Sequence, residues 1–345
     1  MKHIILATVL FASAVIASAQ NNTTHQYSEA KDVLWASPKG YDLTMDIYTP
    51  QTNKSSYPVL IIYHGGGWLI NNKSIMDEMS QYIASHSEYV VCNVNYRLLT
   101  ANDNTTHMNE IIEDAMGAVL WTKEHISKYK GNPNEVAVTG DSAGGHLAAM
   151  VVNAKDNISE KGFSEGVLSF TPTYIPTNKT IADIKADNSL EVQAAILSYP
   201  AVDIYTAAVG DGVNGFESDT NFFWQMGGAK ARGIFGENIN AKDNPEYYKT
   251  CSPIYTVSQN SERAFPPQFC HVGSKDATTT PTSIQAYVDK LNENNQPVEF
   301  WIYKGRNHAY LDSGSNEFLG NSFDKDAIEP IHKIISFLDG IFYTE

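Results

Sequence analysis

One short glycine-rich segment carries the residue types that a nucleophilic hydroxyl requires. Residues 140–144 read Gly-Asp-Ser-Ala-Gly and follow the apolar run Val136–Val138 after one residue, Thr139. Small residues on either side of a serine permit a sharp strand-to-helix turn that projects its hydroxyl, and an N–H at the helix start favours negative charge. Ser142 is therefore the candidate nucleophile. The same five residues also fit a structural turn with a capping serine, so they need a partner elsewhere in the chain.

A second glycine-rich segment supplies that partner. Val59–Tyr63 is a continuous apolar run, which predicts a strand buried on both faces of a parallel sheet. His64 and three successive glycines, Gly65–Gly67, follow it. Glycine lets the backbone turn so that free N–H groups point into a cavity, where they can stabilise an oxyanion. Together, the two segments predict a serine hydrolase.

A histidine must take the proton of the nucleophile. When a nucleophilic serine follows a strand in this way, the acid comes later in the chain and the histidine comes last. His308 lies just after the last predicted strand, at the sheet edge where such sites form, and it is the predicted base. His271 lies inside a predicted strand and His332 inside a predicted helix, where packing roles are the rule.

The orienting carboxylate is predicted by the same argument. Asp276 follows the preceding strand within the segment Gly-Ser-Lys-Asp, again at a carboxyl end. Asp312 is its nearest rival because it lies four residues after His308. Asp203 and Asp211 follow an earlier strand and are weaker alternatives.

The elements that must position these residues alternate along the chain. Strands are predicted over residues 33–36, 41–48, 59–63, 89–94, 135–139, 192–199, 267–272 and 298–303, and helices over residues 75–86, 107–129, 142–153, 282–292 and 325–342. The first two strands should form a hairpin, and residues 20–30 a loose tail. This alternation predicts an α/β fold with a mostly parallel central sheet of about eight strands and helices on both faces. Residues 20–345 are predicted to form one domain, with lid-like insertions at about 155–191 and 203–266.

Five motifs together resemble the α/β-hydrolases of the bacterial hormone-sensitive-lipase-like esterase family. They are HGGGW at His64–Trp68, NYRL at Asn95–Leu98, GDSAGG at Gly140–Gly145, GSKD at Gly273–Asp276 and GRNHAY at Gly305–Tyr310. The resemblance implies an α/β-hydrolase fold without a cofactor or metal.

The same resemblance implies residue roles. Ser142, Asp276 and His308 would form a catalytic triad, and the N–H groups of Gly65, Gly66 and Ala143 would form the oxyanion hole. His64 would hold the glycine loop in place. The chain departs from the family at Asn95, where an aspartate is usual, which weakens any transfer of substrate preference.

Charge and targeting signals limit the partners and the location. The formal net charge of −15 argues against nucleic acid or an anionic membrane surface as the main partner. Residues 1–19 have the layout of a secretory signal peptide, closing on Ala17-Ser18-Ala19, so we expect a secreted or periplasmic protein without stable membrane insertion. Three cysteines permit at most one internal disulfide, with Cys251 and Cys270 as the conceivable pair.

These observations predict a secreted serine esterase that acts on short-acyl esters, with acetyl or feruloyl groups on carbohydrates as candidate substrates. Two alternatives remain open. An amide hydrolase, either exopeptidase-like or formamidase-like, would use the same triad, and a binding protein on a hydrolase scaffold would not use it at all. The oligomeric state is not indicated by the sequence.

Overall fold

The computed structural model describes residues 24–210 and 215–343. The expected signal peptide at residues 1–19 and the alternative acid Asp211 lie outside the described residues.

The central sheet has eight strands in the order β1-β2-β4-β3-β5-β6-β7-β8. The first two pairings differ in direction from the rest: β1 and β2 are antiparallel, β2 and β4 are antiparallel, and all later neighbours are parallel. The strands are β1 (Tyr27–Ala36), β2 (Leu43–Pro50), β3 (Tyr57–Tyr63), β4 (Val90–Val94), β5 (Gly131–Asp141), β6 (Ala194–Ser198), β7 (Gln268–Gly273) and β8 (Val298–Tyr303). The predicted mostly parallel α/β sheet of about eight strands, with its opening hairpin, is confirmed.

Helices cover both faces of this sheet. They are α1 (Asp77–His86), α2 (Ala101–Asn104), α3 (Met108–His125), α4 (Ala143–Ala154), α5 (Ile181–Ala186), α6 (Ile204–Val209), α7 (Phe222–Met226), α8 (Pro245–Thr250), α9 (Pro281–Glu293), α10 (Phe323–Asp326) and α11 (Ile328–Phe342). Helices α1 and α11 contact each other on one face, whereas α3 and α4 pack together on the other. A small antiparallel ribbon, β9 (Ser315–Asn316) with β10 (Asn321–Ser322), lies outside the sheet.

The centre of the core is the pair β3 and β5. Every residue of β3 is buried, as the unbroken apolar run predicted. The NYRL motif contributes a buried ion pair beside it: the guanidinium of Arg97 donates to Asp114 at 2.8 and 2.7 Å and to Glu110 at 2.9 Å. Because Asp114 and Glu110 both lie on α3, this pairing fixes the helix against the loop that follows β4.

Three expectations about less regular regions have different outcomes. The tail assignment for residues 20–30 is wrong at its end, because Tyr27 starts β1 and pairs with Pro50, and Ala30 packs against the core. The insertion at 155–191 contains α5, and the insertion at 203–266 contains α6, α7 and α8. Cys92, Cys251 and Cys270 are all buried and free, so no disulfide links them.

Among the residues that the structure describes, no helix combines the length and apolarity needed to cross a membrane.

One carboxyl group inside the helical layer is buried, and no salt bridge among the described residues includes it. Glu113 on α3 accepts the N–H of Thr171 at 3.1 Å and the side-chain amide of Asn109 at 3.3 Å. Burial raises its pKa to about 7. Below the ordinary pKa of glutamate, the group is therefore protonated in both the folded and the unfolded chain. Above pH 7, the folded chain must bury a charge that the unfolded chain leaves in water.

We expect Glu113→Gln to stabilise the protein in a pH-dependent way. At pH 8.5 the variant should melt a few degrees above the wild type, because glutamine keeps the acceptor oxygen and removes the buried charge. At pH 4.5 the advantage should vanish. Thermal unfolding at both values measures this, with the exposed Glu160→Gln as the matched control. If Glu113→Gln raised the melting temperature equally at both pH values, the stabilisation would not come from removing a buried charge.

Candidate active site

Ser142 occupies the turn between β5 and α4 in a backbone conformation that side chains rarely adopt. Its φ is +52° and its ψ is −113°. Such a conformation costs free energy and persists only where the surroundings enforce it. Here the Ser142 N–H donates to the carbonyl of Ser198 at 2.9 Å, and its own carbonyl accepts the N–H of Ala201 at 3.2 Å. The end of β6 therefore holds the turn from both sides.

The glycines around this turn are required by close backbone contact. A Cβ on Gly144 would lie 1.9 Å from the carbonyl oxygen of Tyr63 at the end of β3. A Cβ on Gly140 would lie 2.3 Å from the carbonyl carbon of Gly144. Both separations are far shorter than any van der Waals contact, so the backbone of the turn lies directly on the strand that leads into the glycine loop.

The predicted base and acid meet the nucleophile at this edge of the sheet. The ring of His308 lies between the other two groups: its Nε2 is 2.9 Å from Ser142 Oγ, and its Nδ1 is 2.7 Å from Asp276 Oδ2. The other carboxylate oxygen, Oδ1, accepts the N–H groups of Thr278 and Thr279, both at 2.9 Å. With Nδ1–H donated to the carboxylate, Nε2 is left with a lone pair facing the hydroxyl. The structure thus brings together all three residues that the sequence predicted.

Two contacts that sequence reasoning missed position the histidine. The ring of Tyr199, immediately after β6, meets the ring of His308 at 4.8 Å between centroids, edge to face. The side-chain amide of Asn321, on β10, donates to the carbonyl oxygen of His308. Tyr199 had a signal, since it is the last residue of the predicted strand 192–199 and therefore lies at the carboxyl edge. Asn321 had none, because its ribbon is too short to leave a pattern.

His64 supports the glycine loop through its ring and through its own carbonyl group. Its Nδ1–H donates to the carbonyl of Gly65 at 2.7 Å, and its own carbonyl accepts the hydroxyl of Tyr96 at 2.6 Å. The His64 and Tyr96 rings are stacked at 4.3 Å. Burial lowers the pKa of His64 to about 4, so the ring is neutral near pH 7. This geometry matches the supporting role that the resemblance implied.

The predicted oxyanion donors lie in differing surroundings. Gly66 has φ +119°, a conformation open to glycine, whereas a Cβ on Gly65 would lie 2.3 Å from Asp141 Oδ2. Burial raises the pKa of the Asp141 carboxyl to about 6, and the Gly65 backbone acts against that rise as a hydrogen-bond donor. Asp141 therefore competes for the Gly65 N–H. The assignment of Gly65, Gly66 and Ala143 to the oxyanion hole stays a prediction.

The alternative acids and bases interact with other groups. Asp203 caps α6 by accepting the N–H of Thr206 at 2.9 Å. The carboxyl group of Asp312 lies near Asp141. Burial of this carboxyl, and then the charge of Asp141, raise the pKa of Asp312 well above its usual range. His271 bonds Ser198 at 2.9 Å and Tyr310 at 2.6 Å inside the core. His332 on α11 bonds Tyr82 at 2.8 Å.

Aromatic residues of the 203–266 insertion lie against the glycine loop. A Cβ on Gly67 would be 2.6 Å from the ring of Phe223, and the ring of Phe216 packs edge-on against Trp68 at 5.5 Å. Trp68 Nε1–H donates to His146 Nδ1 at 3.2 Å, and the opposite ring nitrogen of His146 donates to the carbonyl of Cys251 at 2.8 Å. The insertion is therefore tied to the loop and to α4, and its movement as a lid stays a prediction.

Within residues 24–210 and 215–343, no three His, Cys, Asp or Glu side chains are grouped so that they could hold a metal ion.

Comparison with known proteins identifies relatives for most of the chain. The sequence profile of the BD-FAE family matches residues 45–291. Carboxylesterase NlhH of Mycobacterium tuberculosis is 28% identical over 167 residues, which cover 48% of this chain and 49% of that protein. Carboxylesterase 1D of Mus musculus is 31% identical over 154 residues, 42% of this chain and 27% of that protein. The chain spans about half the length, or less, of these curated relatives.

Solved structures share the fold. A thermophilic esterase from Thermogutta terrifontis, Est2, superposes with a TM-score of 0.63 at 17% sequence identity, covering 93% of each chain. The same esterase phosphonylated by sarin gives a TM-score of 0.64, covering 94% of this chain and 97% of that one. At this identity the likeness shows a shared α/β-hydrolase fold.

The backbone contact at the turn predicts the effect of one added methyl group. We expect Gly144→Ala to lower the free energy of unfolding by about 3 kcal/mol or more, because the Tyr63 carbonyl cannot move without disturbing β3. Gly340→Ala is the matched control, since a Cβ there meets nothing within 4 Å on α11, and it should stabilise by up to about 1 kcal/mol. Urea unfolding of both variants measures the difference. A Gly144→Ala variant as stable as the control would contradict the contact.

Proposed function

The chain belongs to the BD-FAE family, and from this premise we propose that it is a serine carboxylesterase. The observation that carries the proposal is the continuous hydrogen-bonded series from Ser142 through His308 to Asp276. These side chains come from three different turns of the sheet, and their alignment at 2.9 and 2.7 Å meets the distances needed for proton transfer.

The proposed reaction begins with Ser142 Oγ attacking the ester carbonyl. His308 Nε2 takes the hydroxyl proton, and Asp276 stabilises the imidazolium that forms. The N–H groups of Gly65, Gly66 and Ala143 receive the developing oxyanion, and His308 then returns the proton to the departing alcohol. Water, activated by the same Nε2, hydrolyses the acyl-enzyme and restores the hydroxyl of Ser142.

We further propose that the acyl group is short. The rings of Phe216 and Phe223 pack onto Trp68 and Gly67, within the loop that would hold the oxyanion. Rings in this position would restrict a long acyl chain. Acetyl and feruloyl groups on carbohydrates are the proposed substrates. The aromatic side chains of the 203–266 insertion offer surfaces for stacking on a sugar or phenolic ring.

Export completes the proposal. Residues 1–19 would be removed as a signal peptide, which leaves a secreted or periplasmic enzyme that meets esters outside the cytoplasm. A net charge of −15 over the whole chain favours neutral or weakly charged substrates over polyanions.

The decisive measurement is hydrolysis of a substrate panel by the mature protein and by Ser142→Ala. The panel contains aryl acetates, long-chain aryl esters, acetylated sugars, feruloyl esters and peptide anilides. We expect acetyl esters to be cleaved fastest, and Ser142→Ala to lose at least about 1,000-fold in kcat, because removing a triad nucleophile leaves only binding and oxyanion stabilisation.

Each alternative outcome identifies another function. Faster cleavage of anilides than of esters would identify an amide hydrolase with the same triad. Equal, negligible rates for the wild type and Ser142→Ala on every substrate would leave a binding protein on a hydrolase scaffold. Preference for long-chain esters would overturn the short-acyl assignment while keeping the esterase.

A further inference from the structure

A buried threonine hydroxyl lies within reach of the base and the acid. Thr279 Oγ1 is 3.2 Å from His308 Nδ1 and 3.3 Å from Asp276 Oδ2. It is 2.8 Å from the carbonyl oxygen of Tyr199. The Thr279 side chain is therefore a point where the turns after β6, β7 and β8 meet.

The single proton of this hydroxyl can serve one acceptor at a time. The Tyr199 carbonyl is nearer than the Asp276 carboxylate by half an ångström, so the proton is directed to Tyr199. A lone pair of Oγ1 then faces His308 Nδ1. The Nδ1–H accordingly has two acceptors, the carboxylate of Asp276 at 2.7 Å and the hydroxyl of Thr279 at 3.2 Å.

We propose that Thr279 is a positioning residue for the proposed hydrolysis, and that its hydroxyl acts as a second acceptor for the Nδ1–H of His308. The inference rests on the proposed function, because it assigns Nε2 as the base. The hydroxyl has two effects. It holds the proton on Nδ1, which keeps Nε2 free for Ser142, and its dipole stabilises the imidazolium that forms as the serine attacks.

The backbone of the same residue reinforces this role. The Thr279 N–H donates to Asp276 Oδ1 at 2.9 Å, so one residue fixes the carboxylate through its backbone and the imidazole through its side chain. Tyr199, which accepts the hydroxyl proton, has a φ of +37° and places its ring edge-to-face on His308. The hydroxyl thus also restrains the strained residue that packs on the base.

The test compares four proteins: the wild type, Thr279→Val, Thr279→Ser and Thr282→Val. Valine keeps the branched shape of threonine and removes the hydroxyl, whereas serine keeps the hydroxyl. Thr282 is exposed on the first turn of α9, three residues from Thr279, so Thr282→Val removes a hydroxyl that faces solvent. Rates are measured on an aryl acetate and divided by the amplitude of the acylation burst. This amplitude counts the molecules with a competent Ser142, so the comparison excludes any misfolded fraction.

We expect Thr279→Val to lose roughly tenfold in kcat with KM within twofold, since one hydrogen bond to the imidazolium is lost from the transition state. The acid limb of its pH–rate profile should move to lower pH, because an acceptor that favours the imidazolium has been removed. Thr279→Ser should recover most of the rate and the original limb. Thr282→Val should match the wild type.

Two results would overturn the inference without touching the proposed function. One is a Thr279→Val enzyme with the kcat and pH profile of Thr282→Val. The other is a loss that serine fails to recover, which would assign the effect to side-chain volume. A wild type that cleaves no ester would instead refute the proposed function, and Ser142→Ala distinguishes that outcome from these two.

Discussion

A backbone-to-backbone contact between the Ser142 turn and the end of β3 is the constraint on which the rest of the site depends. Only a missing side chain at Gly144 allows the turn to lie against the Tyr63 carbonyl, where any Cβ would stand 1.9 Å away. Since β3 continues directly into the glycine loop, this contact also sets the distance between the serine and the loop's N–H groups. The positive φ of Ser142 is the conformational cost of that approach.

The strained turn is held by neighbours that come from the same edge of the sheet. Parallel strands place all their carboxyl ends together, so the residues that follow β5, β6, β7 and β8 meet although they are far apart in sequence. Ser198 and Ala201 bond the backbone of Ser142 on the β6 side. Asp276 and His308 complete the group from the β7 and β8 sides. Each member is restrained by backbone as well as side-chain bonds.

The sequence predicted the features that depend on the periodicity of apolar residues and on the order of residues along the chain. The buried run of β3, the strand-helix alternation and the three side chains at carboxyl ends could be read because each depends on local residue types and on one topological rule. Tyr27–Ala30 was missed because a half-exposed edge strand has little apolar alternation. Thr279 and Asn321 were missed for a different reason. Their roles depend on contacts with residues 29 and 13 positions away, respectively, and no local pattern encodes such contacts.

The choice of acid shows how the fold, rather than proximity in sequence, assigns a role. Asp312 is only four residues from His308, yet it lies buried near Asp141, where burial and a second carboxyl both favour the protonated form. A neutral acid cannot stabilise an imidazolium. Asp276 instead accepts two backbone N–H groups, from Thr278 and Thr279, on the carboxylate oxygen that does not face the histidine. The fold therefore presents to the histidine the carboxyl group that the turn between β7 and α9 holds through backbone donors, rather than the carboxyl group that is nearest in sequence.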